Sequence, residues 1–221
     1  MSHVVVVIGG GTLSPRALGA STESTRDNDT GVVVAADSGL DHAVAAGLRP
    51  TVLVGDLDSI SAAGQMWAYA NDVEIERYPT DKDATDTELA LASAALRAGD
   101  GDVLLLGGLD PDESRLDHLL GTLLAMGHPS LSKLHSLRAV VGTTECSVVH
   151  PGHTAHLMLD AGRTFSVLAL HGPADGVTIT GAKWALDDAH LDATETRGVS
   201  NVALGPVTVT CGTGVVTAVV P

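Results

Sequence analysis

Basic residues, aromatics and cysteines are all scarce in this chain. Against 27 Asp+Glu there are only 12 Lys+Arg, a formal charge of −15. A surface of that sign repels the phosphate backbone of nucleic acid and the anionic face of a membrane. The aromatics are two Trp, two Tyr and one Phe, too few to offer the stacking platforms on which single-stranded nucleic acid is bound. Two cysteines, Cys146 and Cys211, make neither a disulfide framework nor a four-ligand zinc site. The apolar run Val4–Ile8 has no basic region ahead of it and falls far short of a signal peptide core or a membrane span. These absences describe a soluble, cytoplasmic protein with neither a nucleic-acid nor a membrane partner. What is present is globular in composition, with 44% hydrophobic and 18% charged residues over 221 positions. That length makes one large domain or two small ones.

The two halves read differently. Up to about Val141, short Val- and Leu-rich runs alternate with helical patterns. The expected strands are Val4–Ile8, Val32–Ala36, Thr51–Val54, Val73–Arg77, Val103–Leu106 and Leu137–Val141. Runs so continuously apolar suit strands buried on both faces. Thr85–Ala98 and Leu116–Met126 carry the clearest helical spacing, with Asp83 or Thr85 as the N-cap of the first. Alternating strands and helices imply parallel pairing with right-handed crossovers, hence an open α/β sheet. After Gly142 the chain turns to short alternating runs between Gly, Pro and Asp turns: Cys146–Val149, His156–Leu159, Phe165–Leu170, Val177–Thr180, Val207–Thr210 and Val215–Val219. That pattern predicts a small antiparallel sandwich or barrel. The expected domains are therefore 1–143 (α/β) and 144–221 (all-β), and the polar stretch Ser21–Thr30 is expected to be a surface loop.

Ligands of open parallel sheets bind at the carboxyl ends of the strands, and the acidic residues concentrate there. Val32–Ala36 runs into Asp37-Ser38-Gly39, and Thr51–Val54 into Gly55-Asp56-Leu57-Asp58-Ser59. The strand ending near Arg77 leads to Thr80-Asp81-Lys82-Asp83-Ala84-Thr85-Asp86, and Val103–Leu106 leads through Gly107-Gly108 to Arg115-Leu116-Asp117-His118. Carboxylates so grouped repel one another unless a cation sits among them, and an all-oxygen set favours Mg²⁺ shared with substrate phosphates. Asp56 and Asp58 would diverge in extended chain, but a tight turn after Gly55 can aim both at one ion. Lys82 and Arg115 supply the positive charge that phosphate oxygens need. The backbone N–H groups at the helix start near Thr85–Thr87 add a further anion site.

Other features carry less. An Asp after a strand is most often a cap or turn former, a reading open for Asp83. Gly9-Gly10-Gly11 lacks the spacing of a nucleotide fingerprint and serves equally as a strand-end turn. The cluster His150, His153 and His156 reads as surface, Cys211 as a small buried residue before a turn, and Trp67 as helix packing.

Taken in order and spacing, Asp37-Ser38-Gly39, Pro50, Gly55-Asp56-Leu57-Asp58-Ser59, Lys82-Asp83-Ala84-Thr85-Asp86 and Arg115-Leu116-Asp117-His118 resemble the thiamine pyrophosphokinases. Phe165-Ser166-Val167-Leu168, Gly181-Ala182-Lys183-Trp184-Ala185-Leu186 and Val199-Ser200-Asn201 resemble that family's C-terminal motifs. The resemblance implies an α/β domain followed by a β-sandwich, in a homodimer whose active sites lie between subunits. It implies transfer of diphosphate from ATP to the hydroxyl of thiamine, leaving AMP, with Mg²⁺ as cofactor. Carried over by motif, Asp37, Asp56, Asp58 and Asp86 handle Mg²⁺ and phosphates, while Lys82, Arg115 and Asp117 contact the nucleotide. Asp83, Thr85 and His118 complete the nucleotide side, and Trp184, Ser200 and Asn201 line the thiamine pocket. Asp86 and Asp58 are the carboxylates to consider for the hydroxyl's proton. The chain departs from the family's pattern in a longer, more acidic Asp110–Ser114 segment, in Thr122 where Asn is common, and in Asp41 where Asn is frequent. Two other readings keep the fold: the same transfer to another alcohol such as a hydroxymethyl-pterin, or nucleotide binding without catalysis in a regulatory protein.

Overall fold

A computed structural model describes residues 2–25, 31–109 and 115–221. Two compact units make up the chain, Met1–Leu134 with Ala139–Thr143, and His135–Arg138 with Thr144–Pro221.

The first unit alternates strands and helices: β1 (His3–Ile8), α1 (Pro15–Thr25), β2 (Val32–Ala36), α2 (Gly39–Ala45), β3 (Val52–Gly55), α3 (Ala62–Ala70), β4 (Glu74–Arg77), α4 (Asp86–Ala98), β5 (Asp102–Gly107) and α5 (Leu116–Met126). A short 3₁₀ turn, Pro129–Leu131, precedes β6 (Ser136–Val141), whose Ala139–Val141 end belongs to this unit. The strands run in the order β6-β5-β1-β2-β3-β4, with parallel pairing from β5 through β4. Val4, Val5, Val6 and Val7 are all at most 1% exposed, so β1 is covered on both faces, as its unbroken apolar run requires. Val5, Val7, Leu104 and Leu106 pack with Leu13, Ala17 and Ala43 in one core cluster. Ala35, Leu40, Leu53, Ile60 and Ala68 form another, against which Trp67 packs.

Part of the expected Ser21–Thr30 loop is helix instead: Ser21–Thr25 close α1, and Ser21 is buried. The hydroxyls of Ser21 and Thr22 donate to the Leu18 carbonyl at 2.8 and 2.9 Å, which lets polar residues continue a helix. The remainder of that stretch, 26–30, and the 110–114 segment lie outside the described residues.

The second unit is all antiparallel strand: β7 (Thr144–Val149), β8 (Thr154–Leu157), β9 (Thr164–Leu168), β10 (Ala174–Ala182), β11 (Leu186–Leu191), β12 (Asn201–Thr210) and β13 (Val216–Val220). Their order is β11-β10-β12-β9-β13-β7, with β8 also on β12. β12 pairs with β8 over Val207–Thr210, with β10 over Thr208–Thr210 and again at Ala203, and with β9 at Asn201–Val202. Gly205, at φ +152°, lies within the register shift of the β10–β12 ladder between Ala203 and Thr208. One apolar core fills the unit, with Phe165, Val177, Ile179, Val209, Val216 and Ala218 at 0% exposure. β11 has no counterpart among the expected strands, because Asp187, Asp188 and His190 break its apolar alternation. It is an edge strand, where charged side chains are the rule. His150 also departs from expectation: it is buried, while His156 is exposed.

Candidate active site

Three strand ends of the first unit deliver carboxylates to one place. Asp37 follows β2, and its backbone N–H donates to Val54 O at 2.9 Å, which extends the β2–β3 ladder and fixes the residue against its neighbour. Asp56 follows β3 at Gly55. Asp86 opens α4, where the Thr85 hydroxyl caps the helix by accepting from Glu88 N–H at 3.2 Å. One carboxylate oxygen from each of Asp37, Asp56 and Asp86 lies within 4.8 Å of the others. Asp37 and Leu57 hold left-handed backbone, φ +46° and +70°, a conformation that costs non-glycine residues about 1 kcal/mol or more. At Leu57 it makes the tight turn that the Asp-x-Asp spacing needs, closed by the Asp58 N–H donating to Asp56 Oδ1 at 3.2 Å.

Lys82 Nζ faces this group, 3.4 Å from Asp56 Oδ2 and 3.2 Å from Asp86 Oδ1. The Ser59 hydroxyl donates to Asp37 Oδ2, whereas Asp37 Oδ1 is buried and receives no hydrogen bond. Burial pushes Asp37 above the ordinary carboxylate range. The Ser59 bond opposes that rise, and the charges of Asp86, Asp56 and Asp58 add to it. Burial also pushes Asp56 up, but hydrogen bonds from Asp58 N–H and Thr80 and the Lys82 ammonium outweigh it and hold the group low. Lys82 is the mirror case, its burial outweighed by Asp86 and Asp56 so that it stays firmly protonated.

These residues line a cleft of about 820 Å³ together with Gly9, Gly10, Ser59, Thr80, Thr85 and Gly108. Asp58 is exposed on its wall and stands outside the three-carboxylate group. Arg115 and His118 line it too. Arg115 forks through Nε and Nη2 onto Asp117, which holds Asp117 below its usual range. Asp83 is exposed and does not line the cleft. The triglycine turn is part of the wall, and it is tight: a Cβ on Gly9 would stand 2.5 Å from Ser38 Oγ.

The group suits a hard divalent cation on two observations. An all-oxygen set with a buried, unpartnered Asp37 oxygen is the donor chemistry that such a cation takes. Gly55 keeps the space between the acids open, since a Cβ there would lie 3.1 Å from Asp86 Oδ1 and 3.3 Å from Asp37 Cβ.

Trp184, Ser200 and Asn201 belong to the second unit. Trp184 is 53% exposed and carries Lys183 Nζ 4.6 Å from its ring centroid. Asn201 is buried and bonded to the Trp184 backbone. Ser200, at φ +58°, donates its N–H to Ser166 Oγ at 3.1 Å.

Ser59 and Thr80 were not assigned roles by sequence reasoning, although each sits inside a quoted motif; a hydroxyl next to an Asp-x-Asp stretch is the signal that points to them. Asp41 is another such residue. Both its oxygens accept from Ser61, N–H at 2.8 Å and hydroxyl at 2.6 Å, and Ser61 in turn caps α3 through Gly64 N–H. This ties the loop carrying Asp56 to α2, just beyond Asp37.

Residues 26–137 match the family model for the thiamin pyrophosphokinase catalytic domain, and residues 152–216 match that for the thiamin pyrophosphokinase vitamin B1 binding domain. The chain belongs to the thiamin pyrophosphokinase family. Both of the family's domains are present in it, and with them the activity, diphosphorylation of thiamine by ATP. Solved thiamin pyrophosphokinases share the fold over its length. That of Geobacillus thermodenitrificans is 26% identical, covering 98% of this chain and 96% of that one, with a TM-score of 0.73. That of Bacillus subtilis is 21% identical with a TM-score of 0.77, covering 99% and 98%. That of Candida albicans is 14% identical with a TM-score of 0.72, covering 99% and 89%. A comparison with curated proteins finds no match. No helix among the described residues is long and apolar enough to cross a membrane.

Proposed function

We propose that the cleft of the first unit binds the triphosphate of ATP and that Asp37, Asp56 and Asp86 hold Mg²⁺ there. The carrying observation is the convergence of these three carboxylates around a buried, unpartnered Asp37 oxygen. Bound there, the ion would neutralise phosphate charge and stabilise the departing AMP. The rest of the work falls to the chain's own groups. Lys82 supplies a fixed positive charge beside the carboxylates, where charge builds as diphosphate leaves the α-phosphate. Arg115 at the cleft and the N–H groups at the start of α4 bind further phosphate oxygens. The thiamine hydroxyl attacks the β-phosphorus; its proton goes to a carboxylate of the cleft, with Asp86 or the exposed Asp58 in that role. Positioning and charge neutralisation thus do most of the catalysis.

On this reading Trp184 offers its ring face to the cationic thiazolium, and Ser200 and Asn201 belong to the same binding region. The working enzyme is a homodimer in the cytoplasm. Because a vitamin B1 binding domain is present, thiamine is favoured as acceptor over a pterin alcohol. The test is Asp56→Asn. The variant is expected to fold as the parent does, to form no thiamine diphosphate, and to lose the paramagnetic broadening that bound Mn²⁺ gives the parent. Unchanged turnover in it would overturn the assignment of the metal group.

A further inference from the structure

Every polar atom of the Asn201 side chain is engaged within the protein. Its Oδ1 accepts from Trp184 N–H at 3.1 Å and from Val202 N–H at 2.8 Å, and its Nδ2 donates to Trp184 O at 2.8 Å. The side chain is buried, with the residue 4% exposed. A carboxamide has two donors and one acceptor oxygen; here the oxygen is doubly used and the amide is turned onto a carbonyl. A group so placed inside the protein has little left to offer a ligand.

We propose that Asn201 is a positioning residue: it acts on thiamine through Trp184, by clamping the backbone of the turn that presents the indole. The local chain shows why a clamp is needed. β10 ends at Ala182 and β11 begins at Leu186, so Lys183–Ala185 lie beyond the ladder that pairs Ala182 with Ala203. The Lys183 N–H still reaches Val202 O at 2.8 Å. At Trp184 the backbone has passed the ladder, and the Asn201 carboxamide supplies both the acceptor and the donor that a neighbouring strand would have given. It does for this turn what a paired residue does in a sheet. Ser200 assists from the other side, since its left-handed backbone turns the chain into β12 just ahead of Asn201.

The consequence bears on specificity. Trp184 is half exposed, and Lys183 Nζ already stands over its ring at 4.6 Å. A cationic ring therefore has the opposite face to stack on. Where that face points is set by the Trp184 backbone, and the backbone is set by Asn201.

This inference rests on the assignment of Trp184 to thiamine made above, and the experiment separates the two. KM for thiamine and for ATP is measured for Trp184→Ala, Asn201→Ala and the double variant, each checked for folding by thermal unfolding. In parallel, fluorescence anisotropy is read in a Trp67→Phe background, where Trp184 is the only tryptophan. The expectation is a rise of about tenfold in thiamine KM for each single variant, no further rise in the double variant, unchanged KM for ATP, and lower Trp184 anisotropy in Asn201→Ala. Thiamine KM effects that multiply in the double variant would mean that Asn201 contacts thiamine on its own and would overturn the proposal. So would an Asn201→Ala protein with unchanged KM and anisotropy. If Trp184→Ala itself leaves thiamine KM unchanged, the assignment of Trp184 fails instead. Should Asn201→Ala not fold, Asn201→Asp serves. Its carboxylate keeps both accepted N–H bonds but opposes the Trp184 carbonyl, so anisotropy is low at neutral pH and recovers on acidification, when the protonated group can donate again. Anisotropy that is flat with pH would contradict the clamp.

Discussion

Lys82 Nζ stands 3.2 Å from Asp86 Oδ1 across the first turn into α4, so one cation of the cleft and one of its carboxylates are held by the same four-residue step of chain. The Thr85 cap between them fixes that step. The pair is partly buried, with side chains 14% and 24% exposed, and its geometry is set by helix and cap rather than by flexible surface chains.

The Lys82→Ala variant loses the fixed positive charge beside the transferring diphosphate. The expected result is a fall of about 100-fold in kcat, with a smaller change in thiamine KM. Lys82→Arg restores only part of the rate, because a planar guanidinium does not reproduce the position of an ammonium. Steady-state kinetics on the three proteins checks this.

Asp37 makes a prediction about stability and pH. Its folded value is raised by burial first and by Asp86, Asp56 and Asp58, so the folded protein keeps this proton to higher pH than the unfolded chain. Metal-free stability from this group is full below the ordinary value of 3.8 and is lost as pH rises through the folded value. Asp37→Asn removes the penalty. In EDTA at pH 7 it should melt above the parent, the gap should close in acid, and turnover should be abolished. Thermal melts across pH read the first two outcomes.

Gly55→Ala tests the space between the acids. At φ +144°, with a Cβ 3.1 Å from Asp86 Oδ1, alanine is strained and crowds the group. A loss of about 1–3 kcal/mol in stability is expected, along with loss of the rise in Tm that Mg²⁺ gives the parent.

The two thiols should be inert in the folded protein. Cys146 is buried, and burial with the nearby Glu145 charge pushes its thiol up to about 11; Cys211 is also raised by burial. Thiolate is the reactive form, so a disulfide reagent at pH 8 should titrate neither cysteine before denaturant is added and both afterwards.

Much of this was legible in the sequence, for physical reasons that differ by residue. The strands β1, β2, β3 and β5 were readable because burial on both faces forces nearly continuous apolar runs. The carboxylates were readable because strand-end loops carry them in order. β11 was not, since an edge strand facing water needs no apolar alternation. The C-terminal turn of α1 was hidden because Ser and Thr satisfy their hydroxyls on helix carbonyls, which composition alone does not reveal. Within the site, spacing alone treats Asp56 and Asp58 alike, but the Leu57 turn puts Asp56 in the three-carboxylate group and leaves Asp58 outside it. The motif resemblance marked Asn201 for the thiamine side; that both polar atoms of its carboxamide are bonded to the Trp184 and Val202 backbone depends on where β10 stops pairing, which the sequence does not display.

The most direct test of the central claim incubates purified protein with Mg²⁺, ATP and thiamine and quantifies AMP and thiamine diphosphate by chromatography. Both should appear in a one-to-one ratio, and neither should appear without the metal. AMP formed without thiamine diphosphate, or ADP with thiamine monophosphate in its place, would contradict that claim.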